Sequence, residues 1–376
     1  MLSLANQPAT PKQSLSHPTV TSIKSLAPST GTVLFQVAPN DAFLRFDSEI
    51  IPLTPAAQEA AARHEAYFAG TRELLSKHIA CFWRPEEADM SDLQANLAKH
   101  KSRARRLVER IQVFFLFADN DVLGTLLPKI LQSMPHNATC QFLAYQTGAE
   151  VIHQRAYEQL LQAMLGMNPR QLQVHFGDRD AFRAVHLMRD FALAYTQDPQ
   201  TPLVQLVLTL ILVEGLFFSA AFAIVFNFKN CPRGSALPAF TTVNEWIQRD
   251  EGLHLVHGTE LFKQFANQPS VPEIHGMVRQ AIAVQDHFID DAFVDALPVF
   301  TLTPARLKEY VRYVADFIMG MIEVPPVYNV KENPLDYMAV IGADMKTNFF
   351  ERRNTSYQVA IREELTQDAF SCEIEF

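Results

Sequence analysis

The sequence predicts an all-α protein, and three observations carry that expectation. Glycine is scarce, at 13 of 376 residues. Long segments repeat apolar residues at helical spacing, and no strand-like alternation persists. The 28 phenylalanines imply a bulky, rigid interior in a chain long enough to bury a substantial core. Pro55-Ala56-Ala57-Gln58-Glu59 opens the first helix, with proline in its first turn. Pro85 and the acidic turn Glu86 to Asp92 then break the chain. Long helices are expected near 92–131, 138–166, 179–197, 203–229, 240–266 and 271–296, and shorter ones near 304–322 and 334–343. Asp198-Pro199, Cys231-Pro232-Arg233-Gly234 and Pro325-Pro326 mark loops between them.

Three regions are expected: a disordered extension over 1–45, a helical domain over 46–350 and a flexible tail over 351–376. The first 40 residues are rich in Ser, Thr and Pro, and the first acid is Asp41. The acid-poor composition is that of an organelle transit peptide, but the segment has no arginine, so a plain disordered extension is expected. No charged stretch leads into an apolar core as in a secretory signal. Cys81, Cys140, Cys231 and Cys372 stand far apart. They form no CxxC pair, so a reducing, cytoplasmic location is expected.

The net charge of −9 argues against wholesale nucleic-acid binding, which needs clustered cations. The one basic run, Lys99 to Arg106, reads as the solvated face of a helix, with a polyanion contact as the alternative. Leu203 to Phe226 is almost unbroken apolar sequence, long enough at ~1.5 Å per residue to cross a bilayer. Glu214 sits near its middle, and an acid at that depth is costly. The central helix of a large bundle explains the same run, and the motifs favour that reading over a membrane.

Two Glu-x-x-His pairs occur, Glu150–His153 and Glu251–His254. Residues three apart share a helix face, so each pair presents a carboxylate and an imidazole to one point. A single pair is weak evidence. Two pairs gain weight beside isolated acids on two other apolar helices: Glu214, and Asp119 at the end of Phe114-Phe115-Leu116-Phe117-Ala118. Asp121 competes with Asp119 for that role. The pattern is the ligand set of ferritin-like di-iron and di-manganese proteins. Oxygen and imidazole ligands suit Fe and Mn, and four carboxylates balance two divalent ions. Without metal, four buried acids would repel one another.

Tyr157 continues the stripe of Glu150 and His153, one turn beyond the histidine. A tyrosine beside a metal site is often mere packing. Here Glu214, Phe218 and Phe222 form an i, i+4, i+8 stripe, and Ile247, Glu251 and His254 form another. Phe218, Phe222 and Ile247 are therefore expected to wall the phenol from water, as a stable phenoxyl radical requires.

Several segments together resemble the small subunit of class I ribonucleotide reductase. They are Cys81-Phe82-Trp83-Arg84-Pro85-Glu86-Glu87-Ala88-Asp89-Met90-Ser91, Gln146 to Tyr157, Val213 to Ser219 and Asn244 to His254. Asn333-Pro334-Leu335-Asp336-Tyr337-Met338 and Lys346 to Arg353 complete the set. The resemblance spans residues ~70–376 and is nearer the eukaryotic and viral branch. It implies a ferritin-like helical bundle with additional helices, assembled as a homodimer. Asp119, Glu150 and His153 would bind one metal, and Glu214, Glu251 and His254 the other. The ions would be two irons per chain, with Fe/Mn and Mn/Mn left open, and O2 would be the oxidant. Tyr157 falls on the radical tyrosine, with Trp83 and Asp250 on a buried relay in which Asp250 would fix the tautomer of His153.

From Ser356 the chain is polar and acidic, with apolar anchors at Phe370, Ile374 and Phe376. Such a segment orders on a partner. The resemblance implies that it docks on the large catalytic subunit, with Tyr357 passing the radical across. Ribonucleotides would be reduced there, and no Gly-rich phosphate loop occurs in this chain. Two rivals remain: an iron-storage bundle, which has no use for a caged tyrosine, and a non-catalytic paralogue, which would be expected to lose a ligand.

Overall fold

The computed structural model describes residues 55–134, 136–166, 171, 183–231, 236–293 and 299–338. Among these, helices account for the regular structure; Val299 and Leu302 form an isolated bridge. The N-terminal extension and the tail, with Tyr357, Phe370, Ile374 and Phe376, lie outside the described residues.

Helix α1 (Pro55–Ala80) turns one stripe inward, buried at His64, Tyr67, Thr71, Leu74 and His78. A loop through Trp83 and a 3-10 turn at Pro85–Glu87 lead to α2 (Leu93–Ala98). The single helix expected over 92–131 is in fact broken. Lys99, His100 and Lys101 separate α2 from α3 (Ser102–Asp121), and a π turn at Val122–Leu126 precedes α4 (Leu127–Ser133). His100 is buried against Phe228 and Phe300, while its cationic neighbours in the basic run are exposed or half-buried.

Helix α5 (Asn137–Leu165) starts where His136 accepts the Thr139 N–H and ends at Gly166, whose φ of 65° is the left-handed conformation that glycine tolerates. Helix α6 (Arg183–Thr196) follows. The apolar run forms α7 (Leu203–Leu212), a π turn at Val213–Phe217 and α8 (Ser219–Asn227), not one continuous helix. It is buried along nearly its whole length, as a central bundle helix is.

Helices α9 (Pro238–Phe262), α10 (Val271–Ala292) and α11 (Pro304–Met321) complete the bundle. Ser270 and Glu273 form a capping box on α10, and Thr303 caps α11. Of the segment 334–343, a 3-10 turn at Asp336–Met338 is described. Helix α5 packs against α1 and α3, while α7 lies along α9 and α8 along α11. In the π turn, a Cβ on Gly215 would come within 2.7 Å of Leu255 and 2.9 Å of Ile318. Glycine therefore lets α9 and α11 close over the residue next to Glu214.

Candidate metal centre and buried tyrosine

Three helical segments bring the site together. Helix α5 contributes Glu150, His153 and Tyr157, the π turn contributes Glu214, and α9 contributes Asp250, Glu251 and His254. All seven are buried. Ligand atoms of Glu150, Glu214, Glu251 and His254 lie within 4.8 Å of one another. His153 joins them: its Nδ1 is 3.1 Å from Glu150 Oε2 and 3.1 Å from Glu251 Oε1. His254 Nδ1 lies 3.2 Å from Glu150 Oε1, 3.1 Å from Glu251 Oε2 and 3.5 Å from Glu214 Oε2. Both imidazoles thus turn Nδ1 to the carboxylates. Asp119 lies on α3, but its side chain, like that of Asp121, is outside the described residues.

A cluster of this kind cannot be electrostatically neutral by itself. Burial, together with the charges of Glu251 and Glu150, pushes Glu214 well above the usual carboxylate range. Burial would also raise Glu251, but bonds from Glu214, His153 and His254 outweigh it and hold that carboxylate well below its usual value. Burial likewise opposes charge on His153 and His254, and their carboxylate neighbours reverse it, drawing both toward the protonated form. Protons here offset the negative charge. Divalent ions on the same atoms would displace them. Glu150 Oε1, Glu214 Oε2 and Glu251 Oε1 are buried without a well-aligned donor, so the site offers lone pairs aimed inward at a cation. The residues fit a pair of Fe- or Mn-type ions.

The sequence reading did not assign Gln146 a role. One turn before Glu150, it donates through Nε2 to Glu214 Oε1 at 2.8 Å and orients that carboxylate. Its spacing from Glu150 was the available signal. A cavity of about 50 Å³ adjoins Glu214 and Glu251, lined by Gly215, Ser219, Phe222 and Leu255 among others.

Tyr157 is 1% exposed. The ring lying on it is Phe115 of α3, stacked at 4.9 Å with an interplanar angle of 4°. Phe222 and Phe218 pack on Phe115 at 5.0 and 6.0 Å, and Ile247 is fully buried. The three expected wall residues are therefore in the core, but among the described residues the ring stacked on the phenol is Phe115. The π turn shifts the register between Glu214 and Phe218, so the simple i, i+4, i+8 stripe does not continue through it. Phe115 was legible only as a residue one turn before Asp119.

On the far side of His153, Asp250 Oδ2 lies 3.3 Å from Nε2 and accepts the Trp83 indole N–H at 2.7 Å. Arg249 donates to Asp250 Oδ1 and to the Cys81 carbonyl, fixing the carboxylate to the loop that carries Trp83. Burial would raise Asp250, yet bonding to His153 and the Arg249 charge bring it down to about 2. It is an anion held among Trp83, His153 and Arg249. Trp246 lies 5.2 Å from the Trp83 ring.

The family model "Ribonucleotide reductase, small chain" matches residues 68–334. A ribonucleoside-diphosphate reductase subunit M2 from Macaca fascicularis is 30% identical over 307 residues, spanning 81% of this chain and 77% of that one. A ribonucleoside-diphosphate reductase small chain from Yaba-like disease virus is 26% identical over 305 residues, covering 81% and 92%. Among solved structures, the ribonucleotide reductase Rnr4 homodimer from Saccharomyces cerevisiae superposes with a TM-score of 0.63 at 18% identity, over 85% of this chain and 93% of that one. Its likeness concerns the fold, the ferritin-like bundle.

Proposed function

Because this chain belongs to the class I ribonucleotide reductase small-subunit family, on its eukaryotic and viral side, we propose that it generates and holds a tyrosyl radical on Tyr157. The enzyme is ribonucleoside-diphosphate reductase. The observation that carries the proposal is the pairing of an inward-facing carboxylate–imidazole cluster with a buried phenol on the same helix stripe. Glu150, His153, Glu214, Glu251 and His254, completed by Asp119, would hold two iron ions, with manganese in one or both positions as the alternative. Bound there, redox-active metal and O2 supply the oxidising power to take one electron and the phenolic proton from Tyr157.

The chain's own residues do the rest. Phe115, Phe218, Phe222 and Ile247 keep reductant and water from the phenol. Asp250 orients the His153 imidazole and links it to Trp83. Oxidising equivalents would leave by this route, and Tyr357 would pass them to the large catalytic subunit, which Phe370, Ile374 and Phe376 would dock. Two copies of this chain are expected to pair, as in the yeast homodimer. A cytoplasmic location belongs to the same reading.

An iron-storage bundle would share the cluster but not a persistent radical. The deciding experiment is metal analysis of the purified protein, loaded with Fe(II) without oxygen and then exposed to it, with electron paramagnetic resonance. Two ions per chain and a phenoxyl signal are expected. Two ions without any radical would favour storage.

A further inference from the structure

His153 and His254 hold equivalent places in the cluster, each turning Nδ1 to the carboxylates, but their outer nitrogens are treated differently. Nε2 of His153 faces Asp250 at 3.3 Å. Nε2 of His254 is buried with no hydrogen-bond partner among the described residues. A ligating imidazole needs an acceptor on its other nitrogen to fix tautomer and ring orientation, and an orphaned buried N–H is destabilising.

A polar ring stands edge-on to it. His78, near the end of α1, is 2% exposed and edge-on to His254, with ring centroids 4.9 Å apart at 61°. Both of its nitrogens are buried and likewise without a partner among the described residues. Both rings thus carry buried nitrogens without a partner among these residues, as does His257, one turn beyond His254 and stacked on Phe142 at 3.9 Å. Against His78 also lie Tyr145, at 4.7 Å and edge-on, and Phe142 at 5.9 Å. It borders a half-open, mostly apolar cavity of about 270 Å³ shared with Tyr145, Trp83 and Asp250, roomy enough for water to reach the His78 ring. An imidazole in its neutral form offers one acceptor nitrogen.

We propose that His78 is the positioning residue of His254: through one water it accepts the His254 Nε2–H, as Asp250 serves His153. The inference rests on the two-metal reading of the cluster. It makes the two ions unequal, because the His153 side is backed by a carboxylate and the His254 side by an imidazole. A carboxylate partner raises the basicity of its imidazole more than a neutral one does. The ion on His254 is therefore the more weakly held.

Anaerobic Mn(II) titration of the full-length, metal-free chain tests this beside His78→Phe and His78→Gln. The wild-type stoichiometry reports on the two-metal reading by itself, and the ratio of variant to wild type reports on His78. His78→Phe keeps a ring against Phe142 and Tyr145 and should weaken one of two affinities about 10–100-fold, leaving the other unchanged. His78→Gln offers an acceptor oxygen and should recover most of that loss. In the Co(II)-loaded protein, proton NMR should show a hyperfine-shifted imidazole N–H that exchanges slowly in wild type and rapidly in His78→Phe. Unchanged affinities in His78→Phe, or equal loss at both ions with no recovery in His78→Gln, would overturn the proposal.

Discussion

Trp83 and His153 meet on one carboxylate oxygen: Asp250 Oδ2 accepts the indole N–H at 2.7 Å and lies 3.3 Å from the imidazole Nε2. The carboxylate–imidazole cluster is thereby joined to the loop after α1 by charge-assisted contacts among buried groups, where such bonds are strongest. Asp250→Asn has one oxygen and one N–H2 where two acceptor oxygens stood. It cannot serve Trp83, His153 and Arg249 together. With excess Fe(II) the variant should still load metal, about 10–100-fold more weakly at the His153 position, and the radical should still form. Ribonucleotide reduction with the large subunit should fall about 10–100-fold, measured under conditions where the radical content matches wild type. Wild-type turnover in Asp250→Asn would remove this carboxylate from the relay.

Glu214 is the acid whose charge the cluster tolerates least, because burial and two neighbouring glutamates oppose it. Glu214→Ala leaves the Gln146 amide without its acceptor, a cost of about 1–3 kcal/mol, but it also removes a source of repulsion. The metal-free variant should therefore remain folded by circular dichroism. It should bind one ion per chain where wild type binds two. Two ions at wild-type affinity would show that Glu214 is not a ligand.

Phe115 lies flat against Tyr157. Phe115→Leu keeps an apolar side chain while giving up an aromatic pair worth about 0.5–1.5 kcal/mol. The fold and metal content should survive, and the lifetime of the radical should shorten by an order of magnitude, followed by its decay in the presence of a small reductant. An unchanged lifetime would mean that the stack packs the tyrosine without protecting it.

Much of this site was legible because its signals are local. Glu150, His153 and Tyr157 share one helix, as do Asp250, Glu251 and His254, and fixed helical spacing carries from sequence to structure. What the sequence hid depends on breaks in that spacing or on contacts between distant segments. The π turn at Val213–Phe217 replaces an expected straight helix, since nothing in an apolar run announces a wider turn. Phe115 meets Tyr157, and His78 meets His254, only because α3 and α1 pack against helices remote in sequence. The break at His100 was similarly hidden, because that residue caps no obvious turn but fills a slot beside Phe228 and Phe300.

Phe370, Ile374 and Phe376 alternate with acids at the end of the chain. Deleting 370–376 should leave metal content and the Tyr157 radical unchanged. Binding to the large subunit, measured by surface plasmon resonance, should be lost together with turnover. A truncated chain that still bound and turned over would place the docking contacts elsewhere.

The central claim is that the oxidising equivalent resides on Tyr157, and one substitution isolates it. Tyr157→Phe keeps the ring against Phe115 and removes only the hydroxyl, so folding and metal binding should barely change. The measurement is electron paramagnetic resonance of the Fe(II)-loaded variant after oxygen exposure, with ribonucleotide reduction assayed on the same sample. No phenoxyl signal and no reduction are expected, with two ions still bound per chain. Wild-type turnover by Tyr157→Phe would contradict the claim and put the radical on another residue or on the metals themselves.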